Sequence, residues 1–158
     1  MVQQTQKIRQ LNQLLVINHN AERAYLEALE SAENEELKQF FRARAFERNE
    51  FCRYLGAEIR LLGGAPNFSD TIDSKTKINW PDFKKVLASK NPRALFNEIN
   101  RLKSACVAQY NRVLNSFEFQ ESLANLLEKQ KQIIGSSISL MRYKDGLTSA
   151  QPRLASNG

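Results

Sequence analysis

A chain of 158 residues, 42% apolar and 25% charged, has the length for one domain with a proper core, and this balance suits a globular protein rather than a disordered one. Its formal charge of +6, from 23 Lys and Arg against 17 Asp and Glu, would favour an anionic partner only if it were concentrated. The basic residues are instead dispersed, apart from short groups at Lys84-Lys85 and Arg42-Arg44, with no arginine-rich arm, helix-turn-helix pattern or Cys/His finger. A basic-surface, nucleic-acid-associated protein is therefore only the weakest of the alternatives.

The N-terminal MVQQTQKIRQLNQLL has no apolar stretch of the kind a signal peptide carries. No segment approaches the roughly 18 apolar residues of a membrane span. Cys52 and Cys106 are the only cysteines, too few and too far apart for a disulfide framework or a CxxC site. These features predict a bacterial cytoplasmic protein with buried, reduced thiols and no membrane partner.

The first predicted helix runs from about Thr5 to Ser31. Ile8, Leu11, Leu15, Asn18, Glu22, Tyr25 and Leu29 follow three-four spacing on one face. Asn34 is placed to cap a second helix, with Glu35 and Glu36 in its first turn. That helix should reach Leu62, with one stripe through Leu37, Phe41, Arg44, Arg48, Phe51, Leu55, Glu58 and Leu62. An adjoining stripe of Phe40, Glu47, Tyr54 and Leu61 would bring Glu47 toward the core. Gly63-Gly64 supply a stop.

Residues 65–91 read as a long link broken by Pro66 and by Trp80-Pro81, with a short helix from Pro81 to Ala88 held down by Trp80, Phe83 and Leu87. Asn91-Pro92 is a start signal for the third long helix. Its stripe is Leu95, Ile99, Leu102, Cys106, Gln109 or Tyr110, Val113 and Phe117. After a turn near Ser116, a fourth helix from about Glu118 to Tyr143 should turn Leu123, Leu127, Gln130, Ile134, Ser137 and Met141 inward, with a local bend at Gly135-Ser136-Ser137.

Loop lengths then predict topology. Short turns make each successive pair of long helices antiparallel. The link of nearly thirty residues between pairs is long enough to cross the whole bundle. The expected fold is all-α, a ferritin-like four-helix bundle of two antiparallel hairpins joined by a crossover that contains a short helix. It should occupy residues 1–144, with a Gly-, Ser-, Pro- and Asn-containing tail over 145–158.

A di-iron bundle of that kind draws one Glu from each of two helices and a Glu-x-x-His from each of the other two. Several carboxylates are needed to neutralise two divalent ions. Counted from Asn34, Glu22 lies about twelve residues back and Glu47 about thirteen forward, so the two can meet across the first hairpin; Glu50 follows Glu47 by three. His19, the only histidine, precedes Glu22 by three. The matching level of the second hairpin offers Lys103, Cys106, Gln130, Ile133 and Ser137.

No metal is therefore expected, the alternative being iron or manganese on Glu22, Glu47, Glu50 and His19. The preferred arrangement is a polar layer in which Glu22, Glu47 or Glu50 is neutralised by Lys103, Arg44 or Arg48 and hydrogen-bonded to Tyr25, Tyr54 or Tyr110. No glycine-rich phosphate loop, HExxH or GxSxG occurs. No catalytic residue is assigned.

The run LNQLLVINHNAERAYLEALESAENEELKQFF, followed by RARAFERNEFCRYLGAEIRLLGG and a link containing Trp80, resembles a family of uncharacterised bacterial ferritin-like proteins, small rubrerythrin-related bundles. The resemblance covers about residues 8–143 and is strongest at Leu11-Asn12, Tyr25, Glu47-Arg48 and Leu62-Gly63-Gly64. It implies the bundle fold, and it implies further acidic residues in the third helix and a Glu and His in the fourth. Arg101, Lys103, Ile133 and Ile138 stand in that region instead. The expected function is thus a non-catalytic helical protein, stress-related on one reading, with a degenerate di-iron site. It is expected to self-associate, as a dimer in the simplest case, or to bind another protein, using Phe40, Phe46, Phe119 and the segment around Trp80 and Phe83.

Overall fold

The computed structural model describes residues 2–136. Among them the chain is all-helical: α1 (Val2–Ser31), α2 (Glu35–Leu61), α3 (Trp80–Ala88) and α4 (Pro92–Ser116), then α5 over residues 121–136. A single 3-10 turn, Ser74–Thr76, lies in the link between α2 and α3. Ser137, Ile138, Met141, Tyr143, the boundary at residue 144 and the tail from 145 onward lie outside the described residues. No described helix is long and apolar enough to cross a membrane.

Helix boundaries follow local chemistry. The Asn34 side chain accepts hydrogen bonds from Glu36 N (2.7 Å) and Leu37 N (3.2 Å), and Asn91 does the same for Arg93 N and Ala94 N. Each cap satisfies amides that the first helical turn leaves without a partner. Gly63 ends α2 at φ +91°, a conformation that costs a side-chain-bearing residue about 1–2 kcal/mol. α5 begins at 121 rather than near Glu118. Phe117 is extended (φ −140°, ψ 148°), and Phe119 packs against the core edge-on to Phe117 with Lys7 over its ring. Side-chain packing holds this stretch out of a helix.

The direction of each helix can be read from contacts at its ends. Gln4 donates to the Leu62 carbonyl (2.7 Å), so α1 begins where α2 finishes. From there the link leaves past Asn12, which donates to Ala65 O and accepts from Asn67 N. At the opposite end Ser31 donates to Leu87 O, and Lys90 Nζ donates to Ser31 O at 2.9 Å. The link therefore travels the length of α1 and α2 before α4 starts beside the α1–α2 turn.

Two apolar clusters result. One joins Leu11, Leu15, Leu55, Ile59, Tyr110, Val113, Leu123 and Leu127 from α1, α2, α4 and α5. The other joins Tyr25, Ala28, Phe41, Ala45, Phe83, Phe96 and Ile99, with Trp80 against its edge. Phe40 and Phe83, expected as contact surface, are buried in this second cluster. Tyr54 and Leu61, expected inward, are exposed. The buried arc of α2 passes through Phe41, Ala45, Arg48, Cys52, Leu55 and Ile59, which turns Tyr54 and Leu61 outward.

Gly64 is held by close approach rather than by backbone angle. A Cβ there would lie 2.7 Å from Ile8 Cγ2 and 3.2 Å from Ile59 Cγ2. Gly64→Ala should lower the urea-unfolding free energy by about 1–3 kcal/mol. Gly135→Ala, in α5 with nothing within 4 Å of the added carbon, should raise it by up to about 1 kcal/mol.

Candidate functional site

The two clusters are separated by a polar layer built from all four long helices. Asn18 of α1 donates from Nδ2 to its own helix at Leu14 O (2.8 Å) and to the Tyr110 hydroxyl of α4 (2.9 Å). Its Oδ1 accepts from Arg48 Nη1 of α2 at 2.8 Å. Tyr110 in turn donates to Gln130 Oε1 of α5 at 2.7 Å. Arg48 Nη1 also reaches Cys106 Sγ at 3.6 Å. Asn18, Arg48, Tyr110, Cys106 and Gln130 are all buried, so these bonds form in a medium where electrostatic terms are stronger than in water and unpaired groups are costly.

Arg48 is only 2% exposed. Burial opposes its charge, but the Cys106 thiol and the Tyr25 and Tyr110 hydroxyls outweigh that effect, and its pKa is raised. Arginine stays charged in proteins, so a permanent cation sits in the core, and among the described residues its hydrogen bonds go to an amide oxygen and a thiol rather than to a carboxylate.

Lys103 of α4 is a second basic group at this level, also 2% exposed. Its Nζ has no hydrogen-bond partner among the described residues. The nitrogen lies 5.6 Å from the Phe40 ring centroid and 5.7 Å from that of Tyr25. Its pKa is pushed down to about 6, first by burial and then by the Arg48 and Arg44 guanidiniums, against a smaller opposite pull from Glu47 and Cys106. The amine is thus mostly neutral at pH 7. Burial likewise pushes Tyr25 up to about 12 and Cys52 to about 12, and raises Cys106 and Tyr110. Both thiols are free and stay protonated, the inert state of a buried cysteine.

The four residues considered for metal binding lie at the rim. Glu22 accepts from Asn49 Nδ2 at 3.0 Å, and His19 Nδ1 is 3.9 Å from its carboxylate. His19 is half exposed, its ring edge-on to Phe68 at 4.9 Å. Glu47 pairs with Arg44 one turn earlier on the same helix (3.5 Å), and Glu50 with Arg53 one turn later (3.0 Å). His19 and Glu22 are therefore brought together, while Glu47 and Glu50 each turn to an arginine of α2. Among the described residues, no three His, Cys, Asp or Glu side chains are grouped so as to hold a metal ion. A cation between the helices would face the buried Arg48 guanidinium, whose charge repels it.

The polar layer expected from sequence is present with a different membership. Arg48 and Lys103 are in it, and Glu47 pairs with Arg44 as expected at its edge, while Glu22 and Glu50 pair with Asn49 and Arg53 instead. Tyr110 bonds within the layer, Tyr54 is exposed, and the Tyr25 hydroxyl has no partner among the described residues. Asn18 and Gln130 were legible as inward-facing. The central place of Arg48 was signalled by its position among Phe41, Phe51 and Leu55 in a single stripe.

Residues 6–116 match the sequence profile of a family described as a domain of unknown function, DUF2383. The chain belongs to the DUF2383 family. The matched span ends with α4, so it contains every residue of the layer except Gln130. No curated protein and no solved structure matches this DUF2383 chain.

The buried amine gives the domain a definite pH signature. In the unfolded chain Lys103 protonates at its ordinary value of 10.5, and in the folded protein only near 6. Between those values the unfolded state binds more protons, so stability rises with pH and is lost as pH falls toward 6. Lys103→Met should gain about 1–4 kcal/mol at pH 7 and flatten the dependence of urea stability between pH 6 and 10. An unaltered slope would place the source of the pH dependence elsewhere.

Proposed function

We propose that this DUF2383 domain is a non-catalytic, ferritin-like helical protein that works as a stable interaction scaffold with a degenerate metal site. The observation that carries this reading is the substitution of charge at the centre of the helices. Arg48 and Lys103 lie inside, while the carboxylates Glu22, Glu47 and Glu50 lie at the rim beside basic or amide side chains. The order of helices, with a link that returns along the full length of α1 and α2 before α4 begins, supports the ferritin-like arrangement. Coulomb repulsion from the Arg48 guanidinium, the permanent charge at this level, opposes a dinuclear cation centre.

Protein purified without chelator and titrated with Fe(II) or Mn(II) should retain less than one equivalent by elemental analysis and show no saturable rise in Tm. Stoichiometric metal that is lost in Glu47→Ala would overturn the reading.

A scaffold of this kind is expected to act with a second copy of itself. Phe46, Tyr54 and Leu61 are large exposed apolar side chains on α2. At about 100° per residue they fall within an arc of about 80°, so one outward stripe presents all three. Light scattering coupled to size exclusion should give a dimer that Phe46→Glu converts to monomer. A strict monomer at high concentration would rule out self-association.

A further inference from the structure

We propose that the cavity walled by Arg48, Lys103 and Tyr25 is a binding site for one halide-sized monovalent anion. The cavity is about 30 Å³ and is also lined by Cys106 of α4 and by Thr76 and Ile78 of the link, which cover it from outside. That is space for about two waters, and its small size favours a compact ion over phosphate, sulfate or an organic acid.

Two observations point to an anion. First, the wall carries donors without partners. Lys103 Nζ and the Tyr25 hydroxyl are both buried and make no hydrogen bond among the described residues, although buried polar groups nearly always find a partner. Both residues line this one cavity. Second, the charge is unbalanced. The charges that act most strongly on Lys103 are the Arg48 and Arg44 guanidiniums, with the Glu47 carboxylate pulling the other way. That carboxylate is 3.5 Å from Arg44 Nε. Water in the cavity would satisfy the donors but leave the Arg48 charge without a counter-ion. An anion does both, and it stabilises the protonated form of Lys103, so its uptake brings a proton with it.

The groups that face the amine are Tyr25 from α1, Arg44, Glu47 and Arg48 from α2, and Cys106 on α4 itself. Burial holds the Tyr25 and Cys106 protons in place, which leaves Lys103 as the group that responds near neutral pH.

The site is tested on the full chain by thermal unfolding in sodium chloride against sodium gluconate at equal ionic strength. Chloride should raise Tm in a saturable way, by roughly 3–6 °C at ten times its Kd, and more at pH 6 than at pH 9. Lys103→Met should fold and lose the response, and Tyr25→Phe should weaken it. Crystals grown in sodium bromide should give an anomalous peak in the cavity. Equal Tm values in the two salts, a full chloride response in Lys103→Met, or water alone in the bromide crystals would overturn the proposal. None of these outcomes bears on the metal titration, so the scaffold reading stands or falls separately.

Discussion

A charged guanidinium placed between four helices, with no carboxylate bonded to it among the described residues, constrains the rest of this molecule. Moving an ion of that size out of water costs several kcal/mol even after relaxation. The helices must therefore supply solvation themselves. Asn18 does so from α1, donating to Leu14 O and Tyr110 while accepting from Arg48. Tyr110 passes the polarity on to Gln130. The bonds from Asn18 to Tyr110, from Arg48 to Asn18 and from Tyr110 to Gln130 each fix the rotation and height of one helix against another, so the layer sets register in a way that the apolar clusters on either side do not. Apolar contacts tolerate sliding, whereas a hydrogen bond of 2.8 Å does not.

In the scaffold reading proposed above, this layer is what would let a bundle keep a metal-binding outline without its chemistry. A dinuclear centre needs carboxylates turned inward from several helices. Here the apolar and basic side chains of α2 take the inward arc, and the acidic ones are rotated to its edges. Glu47 stays close enough to act on Lys103 and Tyr25. Its ion-pair partner is nevertheless Arg44, one turn away on the same helix.

Much of the fold was legible because it rests on local signals. Asn34, Asn91 and Gly63 announce helix ends through hydrogen-bonding and backbone properties that belong to the residues themselves. Leu11, Leu15 and Asn18 on α1, and Leu123, Leu127, Gln130 and Ile134 on α5, could be assigned to the core from spacing alone. The site was less legible, since it depends on rotational phase. Glu47 and Arg48 are neighbours in sequence, and the choice of which faces inward is decided by where Phe41, Ala45 and Cys52 fall. A similar displacement on α4 puts Phe96 and Lys103 inside where Leu95 and Leu102 were expected. Height along a helix can be counted in residues, whereas phase depends on the neighbours.

The link that covers the layer is fastened by Trp80. Its indole has the Arg23 guanidinium over its face at 3.9 Å and meets the Phe83 ring edge-on at 5.9 Å, contacts that hold a cation and two aromatic rings in a fixed stack. Trp80 is the only tryptophan in the chain. Indole emission is consequently a private reporter of whether the link is seated, separate from the circular-dichroism signal dominated by the long helices. If the strap lifts before the bundle melts, fluorescence will change while ellipticity holds steady, and the two traces will diverge.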